Sequence, residues 1–277
     1  HAGDDDQTFR LALIHAKGQI LADHLHHVLF RHTAALQILL QQGLVTDSGR
    51  LRNVVKISAE VHDVLAEFFL QFLYKFLPAF ARQIGKDFAS AGKCIPYVGA
   101  YFNPIHENKE KVKDSIEIFA DYLRVCQEMG CQVVGSETGS RNNDSWTYHP
   151  GNRTEESLQG VVRAFSQLCD VASDCGSTVA IEGCEGHVCY DIDTLARARK
   201  MIGKKTKVVF DLYNFMDAEN QGDYLGLVDK GLDVFAGDIH VFHMKDCFLA
   251  NGRKPIQTPF GKGGLDLQAI LGRIKAY

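Results

Sequence analysis

From Cys94 onward, short and almost wholly apolar runs alternate with helical segments, and successive runs end in Glu137, Glu182, Asp211 and His243. Strands apolar on both faces and separated by helices predict the α/β class, a parallel sheet covered by helices. Polar groups gathered at the C-terminal ends of several strands are how a (β/α)8 TIM-type barrel builds a site. No GxGxxG or GxxxxGK[ST] loop follows any strand to favour an open, doubly wound sheet. The expected fold is therefore a TIM-type barrel, incomplete at both ends.

Taken in order, residues 1–80 read as a helix-rich segment, with helices over Phe9–Leu29, Thr33–Gln42 and from Val61 to Phe76 and beyond. Val54-Val55-Lys56-Ile57 is its one strand-like run. The barrel portion occupies residues 81–277. A helix stops at Ala89-Ser90-Ala91-Gly92, where glycine supplies the stop signal. Cys94–Tyr101 reads as a buried strand, and a helix from Lys109 to Met129 ends at Gly130. Strand Cys131–Ser136, helix Glu155–Cys175 and strand Thr178–Glu182 come next. Asp191 caps a helix reaching Ile202, followed by strand Lys207–Leu212, helix Tyr224–Phe235, strand Ile239–Met244 and helix Leu265–Tyr277.

A chain of 277 residues suits one large domain or two small ones. Its net charge of -4 provides no general basic field for nucleic acid. The longest apolar stretch, Val64–Phe80, is interrupted by Glu67, Gln71, Lys75 and Pro78, so no membrane span is expected. Eight cysteines all follow residue 90 and form no CxxC pair. In a chain of this length without a secretory signal they read as free thiols of a cytoplasmic protein. The chain starts at His1 rather than Met, so its natural start is expected to lie upstream.

Three strand ends carry the chemistry: Val179-Ala180-Ile181-Glu182, Val208-Val209-Phe210-Asp211 and Val241-Phe242-His243. A carboxylate at the end of an apolar strand is unfavourable to bury unless a cation or hydrogen bonds compensate it. Two carboxylates and one imidazole suit Mn²⁺, Mg²⁺, Co²⁺ or Zn²⁺ without choosing among them. The bland alternative is a set of salt bridges at the barrel mouth, such as Asp211 with Lys245. A second histidine group, His24, His26, His27 and His32, lacks a helical ligand pair with a nearby carboxylate and reads as a solvated or partly packed helix face.

The segments "VAIEGCEGHVCY", "VVFDLYNFMD", "VFHMKD", "GCQVVGSETGS" and "IPYVGAYFNPIHENKEKVKDS" resemble the sugar phosphate isomerase/epimerase family with its xylose isomerase-like barrel, over roughly residues 80–277. The resemblance implies metal ligation by Glu182, Asp211 and His243, and substrate-side roles for Glu137, His187 and Asn214. It implies proton transfer beside a carbonyl through an enediolate, with Glu182 as the base. Isomerisation, epimerisation and loss of water all remain open outcomes. The expected partner is a small sugar or polyol, and a homo-oligomer is compatible with the class.

Each of the secondary residues has an ordinary reading beside it. Glu137 pairs with a neighbouring base, His187 shapes a loop, and Asn214 caps the turn after Asp211. His240, three residues before His243, is expected to point to the opposite strand face. Trp146, with Tyr148 and His149, lies on a long loop where a sugar-stacking aromatic would sit, or is a loop anchor. Lys262 in Phe-Gly-Lys-Gly-Gly either reaches a phosphate or carboxylate or marks a surface turn.

The family supplies a further glutamate from its last barrel strand, and the sequence offers no eighth strand to carry one. Its first two βα units are equally hard to find. These departures favour a second reading, a non-catalytic sugar-binding or partner subunit on the same scaffold. A base-excision endonuclease shares the barrel, but would require more histidine and carboxylate ligands and a basic face.

Overall fold

The computed structural model describes residues 78–203 and 205–277. The expected helices and strand-like run before residue 78, with the histidines at 24, 26, 27 and 32, lie outside the described residues. Helix α1 covers residues 78–90. Five parallel strands follow: β1 (Val98–Gly99), β2 (Val133–Glu137), β3 (Thr178–Glu182), β4 (Lys207–Asp211) and β5 (Ile239–His243). Each is hydrogen-bonded to the next in chain order. Helices α2 (Lys109–Val125), α3 (Glu155–Cys175), α4 (Ile192–Ile202), the single turn α5 (Leu212–Phe215) and α6 (Tyr224–Phe235) lie between them in the chain. An antiparallel hairpin, β6 (Asp246–Phe248) and β7 (Ile256–Thr258), precedes α7 (Leu267–Ala276). Neighbour-to-neighbour parallel strands with intervening helices are the connectivity of a TIM-type barrel. Among the described residues it is a partial barrel, as expected.

Local sequence explains where the helices start and stop. Asn108, Thr154 and Asp191 accept hydrogen bonds from the backbone N–H groups of Lys111, Ser157 and Thr194, satisfying donors that have no partner within the helix. Each cap is worth roughly 1 kcal/mol. The helix expected to run to Met129 ends at Val125, continues as one 3₁₀ turn over Cys126–Met129, and stops at Gly130 with φ 76°.

Strand alternation sorts the side chains into two populations. Val134, Val179, Ile181, Val208 and Phe210 face the helices and join a large core with Phe119, Phe165, Leu168 and Phe235. Val133, Ala180 and Val209 form a separate small cluster on the other face, together with Tyr97 and Val241. That second face is the barrel interior, and Glu137, Glu182, Asp211 and His243 share its phase. The outer packing is close. A Cβ on Gly231 of α6 would come within 2.2 Å of the Phe210 ring.

One strand expectation is corrected, and one element has no signature in the sequence. The buried strand Cys94–Tyr101 narrows to a two-residue ladder, because Pro96 has no N–H to donate and Cys94 is exposed. The β6–β7 hairpin was not anticipated, since runs of three residues are too short to show alternation. All eight cysteines are free thiols. Among the described residues no helix is long and apolar enough to cross a membrane.

Candidate metal centre

Strand register assembles the site. Glu137 and Glu182 are direct partners across β2 and β3, and Asp211 and His243 are direct partners across β4 and β5. The second pairing depends on an irregularity: Val208 pairs with Ile239, but Val209 pairs with Val241. His240 is thus the extra residue of a β-bulge. Continuing the register unbroken from Val208–Ile239 would have set Phe242 against Asp211. His240 is exposed, and its Nε2 donates to the Pro96 carbonyl at 3.1 Å.

Glu182, Asp211 and His243 each offer a ligand atom, and these three atoms lie within 4.8 Å of one another. Glu182 is 2% exposed, and both its oxygens are held. Oε1 accepts from Asn214 Nδ2 at 2.9 Å and lies 3.2 Å from His243 Nδ1. Oε2 accepts from the Tyr101 hydroxyl at 3.1 Å. Asp211 is fully buried and caps α5 by accepting the Asn214 backbone N–H at 3.3 Å. Its Oδ2 lies 2.6 Å from Lys245 Nζ, in an ion pair out of hydrogen-bond alignment. Lys245 donates instead to Asn214 Oδ1 at 3.0 Å. The Tyr97 ring meets His243 edge-on at 5.6 Å, and the absence of a Cβ on Gly135 leaves room for it.

The electrostatics follow from crowding negative charge in a dry place. Burial lifts the Asp211 carboxyl, with Lys245 opposing that rise. Burial, then the charge of Glu182, pushes the Glu137 carboxyl up to about 7. The hydrogen bond to Glu182 raises the His243 imidazole despite burial. Burial pulls Lys245 down, but the charges of Asp211, Glu182 and Glu137 leave it raised overall. The salt bridge of the bland reading, Asp211 with Lys245, is therefore present. It balances one of three clustered carboxylates. Two oxygen donors, one nitrogen donor and a buried carboxylate oxygen without an aligned hydrogen bond fit a divalent cation.

The remaining candidate residues divide into two sets. Asn214 Nδ2 bridges Glu182 Oε1 and Glu137 Oε1, the latter at 3.4 Å. Glu137 Oε2 lies 3.7 Å from His187 Nδ1, and His187 Nε2 donates to the Trp146 carbonyl at 2.9 Å. The Trp146 ring packs edge-on against His187 at 5.6 Å. Burial lowers the His187 imidazole, and the Trp146 hydrogen bond works against that fall. Asn214 and Glu137 are thus brought to the three-ligand cluster, with His187 and then Trp146 behind Glu137. Lys262 is exposed in the turn after β7 and makes no hydrogen bond or ion pair to these residues. Sequence reasoning missed Tyr101 and Cys184. Tyr101 closes an apolar run as Glu182 does, and Cys184 lies two residues past a ligand, so both positions carried a readable signal.

The model of the xylose isomerase-like TIM barrel family matches residues 62–277, so the match also takes in residues before the described portion. Among solved structures, a D-tagatose 3-epimerase-like protein is 19% identical with a TM-score of 0.56, over 71% of each chain. The 3-keto-D-glucoside 4-epimerase YcjR from E. coli, in its apo form, is 15% identical with a TM-score of 0.54, over 73% of this chain and 74% of its own. The IOLI protein with a bound zinc atom is 16% identical with a TM-score of 0.53, over 70% and 68%. These likenesses concern the fold. No curated protein matches this chain in sequence. With a family match over more than half its length, on a fold whose strand ends converge at one interior face, the chain belongs to the xylose isomerase-like TIM barrel family.

Proposed function

We propose that the protein is a divalent-metal-dependent isomerase or epimerase of a small sugar or sugar-like polyol. The observation that carries this reading is the Glu182–Asp211–His243 cluster on the barrel's interior face. A cation held there, whether Mn²⁺, Mg²⁺, Co²⁺ or Zn²⁺, supplies positive charge beside a carbonyl and its neighbouring hydroxyl. The epimerase and zinc-bound structures that share the fold support the reading.

In this account Glu182 takes and returns the carbon-bound proton. Tyr101 and Asn214 fix its two oxygens, so the carboxylate is oriented before substrate arrives. Asn214 and Glu137 contact substrate hydroxyls, with His187 supporting Glu137 from behind. Trp146 makes an outer contact. Eight free thiols support a reducing, cytoplasmic setting. The test is incorporation of solvent deuterium at carbon across a panel of ketoses and polyols, with Mn²⁺ present. Label that depends on Glu182 sustains the proposal, and its absence across the panel contradicts it.

The ion pair between Lys245 and Asp211 favours a second reading, a non-catalytic sugar-binding subunit that keeps the scaffold. Binding of a polyol without any carbon-bound exchange identifies that case.

A further inference from the structure

We propose that Glu137, Cys184 and His187 form a second cation site, selective for a thiophilic ion such as Zn²⁺. Their ligand atoms lie within 4.8 Å of one another. The sequence Cys184-Glu185-Gly186-His187 has the short spacing used by zinc ligands. Its turn is closed by the His187 N–H bonding to the Cys184 carbonyl at 2.8 Å. Asn152 Nδ2 and the Val188 N–H fix the turn further, through Gly186 and Gly139.

The decisive atom is His187 Nδ1. His187 is 4% exposed, and its Nε2 bonds a carbonyl oxygen, which can only accept. Nε2 therefore carries the proton, and Nδ1 presents a lone pair. That lone pair is buried and has no hydrogen-bond partner. It faces a carboxylate oxygen at 3.7 Å, close to the roughly 3.4 Å that separates two ligand atoms of a tetrahedral zinc site. A lone pair aimed at a carboxylate is unfavourable in a dry setting unless a proton or a cation lies between them, and a gap of 3.7 Å is too long for a shared proton. Thiolate, imidazole and carboxylate form a donor set suited to zinc, with a fourth position left open. On binding, the Cys184 thiol gives its proton to solvent as the sulfur–metal bond forms.

This site shares no ligand with the Glu182–Asp211–His243 cluster, and Glu137 keeps Oε1 for Asn214 and substrate while Oε2 faces the cation, so the two proposals fail separately. The test loads the full chain with Co²⁺ as a spectroscopic substitute for Zn²⁺. Thiolate-to-cobalt charge-transfer absorption in the near ultraviolet is expected in the wild type and in Asp211→Asn. It is expected to vanish in Cys184→Ser and to fall at least tenfold in His187→Gln at equal Co²⁺. No band in the wild type, or a band that survives Cys184→Ser, overturns the proposal. X-ray absorption at the zinc edge of the wild-type protein needs no variant to fold. A sulfur neighbour at about 2.3 Å is expected, and a shell of oxygen and nitrogen only would overturn the assignment.

Discussion

Asp211 stands directly opposite His243 because the β4–β5 ladder skips His240. The ladder absorbs this extra residue as a bulge, so that Val241 and His243 keep the interior phase of Val209 and Asp211. Deleting His240 closes the bulge and still sets Val241 opposite Val209 and His243 opposite Asp211, so Mn²⁺ binding is expected to survive, whereas an alanine inserted between Val241 and Phe242 is expected to abolish it by setting Phe242 against Asp211. His240→Ala keeps the bulge and loses one exposed hydrogen bond, so metal affinity should stay within about twofold and stability within roughly 1 kcal/mol. Isothermal titration with Mn²⁺ and thermal melts check both. Loss of metal on deleting His240, or its retention after the insertion, would contradict the register argument.

Lys245 and a bound cation compete for the same negative charge. Lys245→Met leaves Asp211 fully buried without its ion-pair partner. The metal-free variant should lose about 1–3 kcal/mol, less than for a wholly buried pair because the lysine is partly exposed. Mn²⁺ affinity should rise several-fold, and saturating Mn²⁺ should restore most of the lost stability. Denaturant melts with and without metal give the comparison. Were the salt bridge the whole purpose of these residues, Mn²⁺ would restore nothing.

The proton held by Glu137 makes stability depend on pH in a stated direction. Its folded carboxyl titrates near 7 against 4.5 for an ordinary glutamate, so in this window the native state binds a proton that the unfolded chain has released. Stability of the metal-free protein is thus expected to fall as pH rises from about 4.5 to 7, by at most about 3 kcal/mol. Glu137→Gln should flatten this slope. Urea melts across the range provide the check, and a slope unchanged in the variant would assign the effect elsewhere.

Much of this architecture was legible in the sequence. Glycine stops at Gly92 and Gly130 and the cap at Asp191 marked helix ends, and the apolar runs ending in Glu182, Asp211 and His243 marked three of the five strands and their shared mouth. What escaped has physical causes. The role of the β5 bulge depends on pairing with β4, which no local pattern encodes. β6 and β7 are too short to alternate. The link between Glu137 and His187 joins a strand end to a separate loop, and only the folded arrangement sets Nδ1 against the carboxylate.

Gly231 reports on the outer layer, where α6 packs against β4. A methyl group there would overlap the Phe210 ring. Gly231→Ala is expected to destabilise by about 1–3 kcal/mol through overpacking, although alanine is the better helix former. A thermal melt measures this, and a stabilised variant would show that the helix is held further from the sheet.

Glu182→Gln tests the assignment of the base. The amide keeps the side chain's size but takes up no proton from carbon, so any turnover should fall by roughly 10²–10⁴-fold. Tyr101→Phe removes one of the hydrogen bonds that orient it and should produce a smaller loss, mainly in kcat. Deuterium exchange kinetics on the same substrate separate the two. Equal rates for wild type and Glu182→Gln would remove Glu182 from the chemistry.

The central claim is the three-residue metal centre, and elemental analysis after Mn²⁺ loading and desalting tests it most directly. The wild-type chain is expected to retain one manganese per chain and Asp211→Ala none, with both proteins folded by circular dichroism. Retention of manganese by Asp211→Ala, or no metal in either protein, would contradict it.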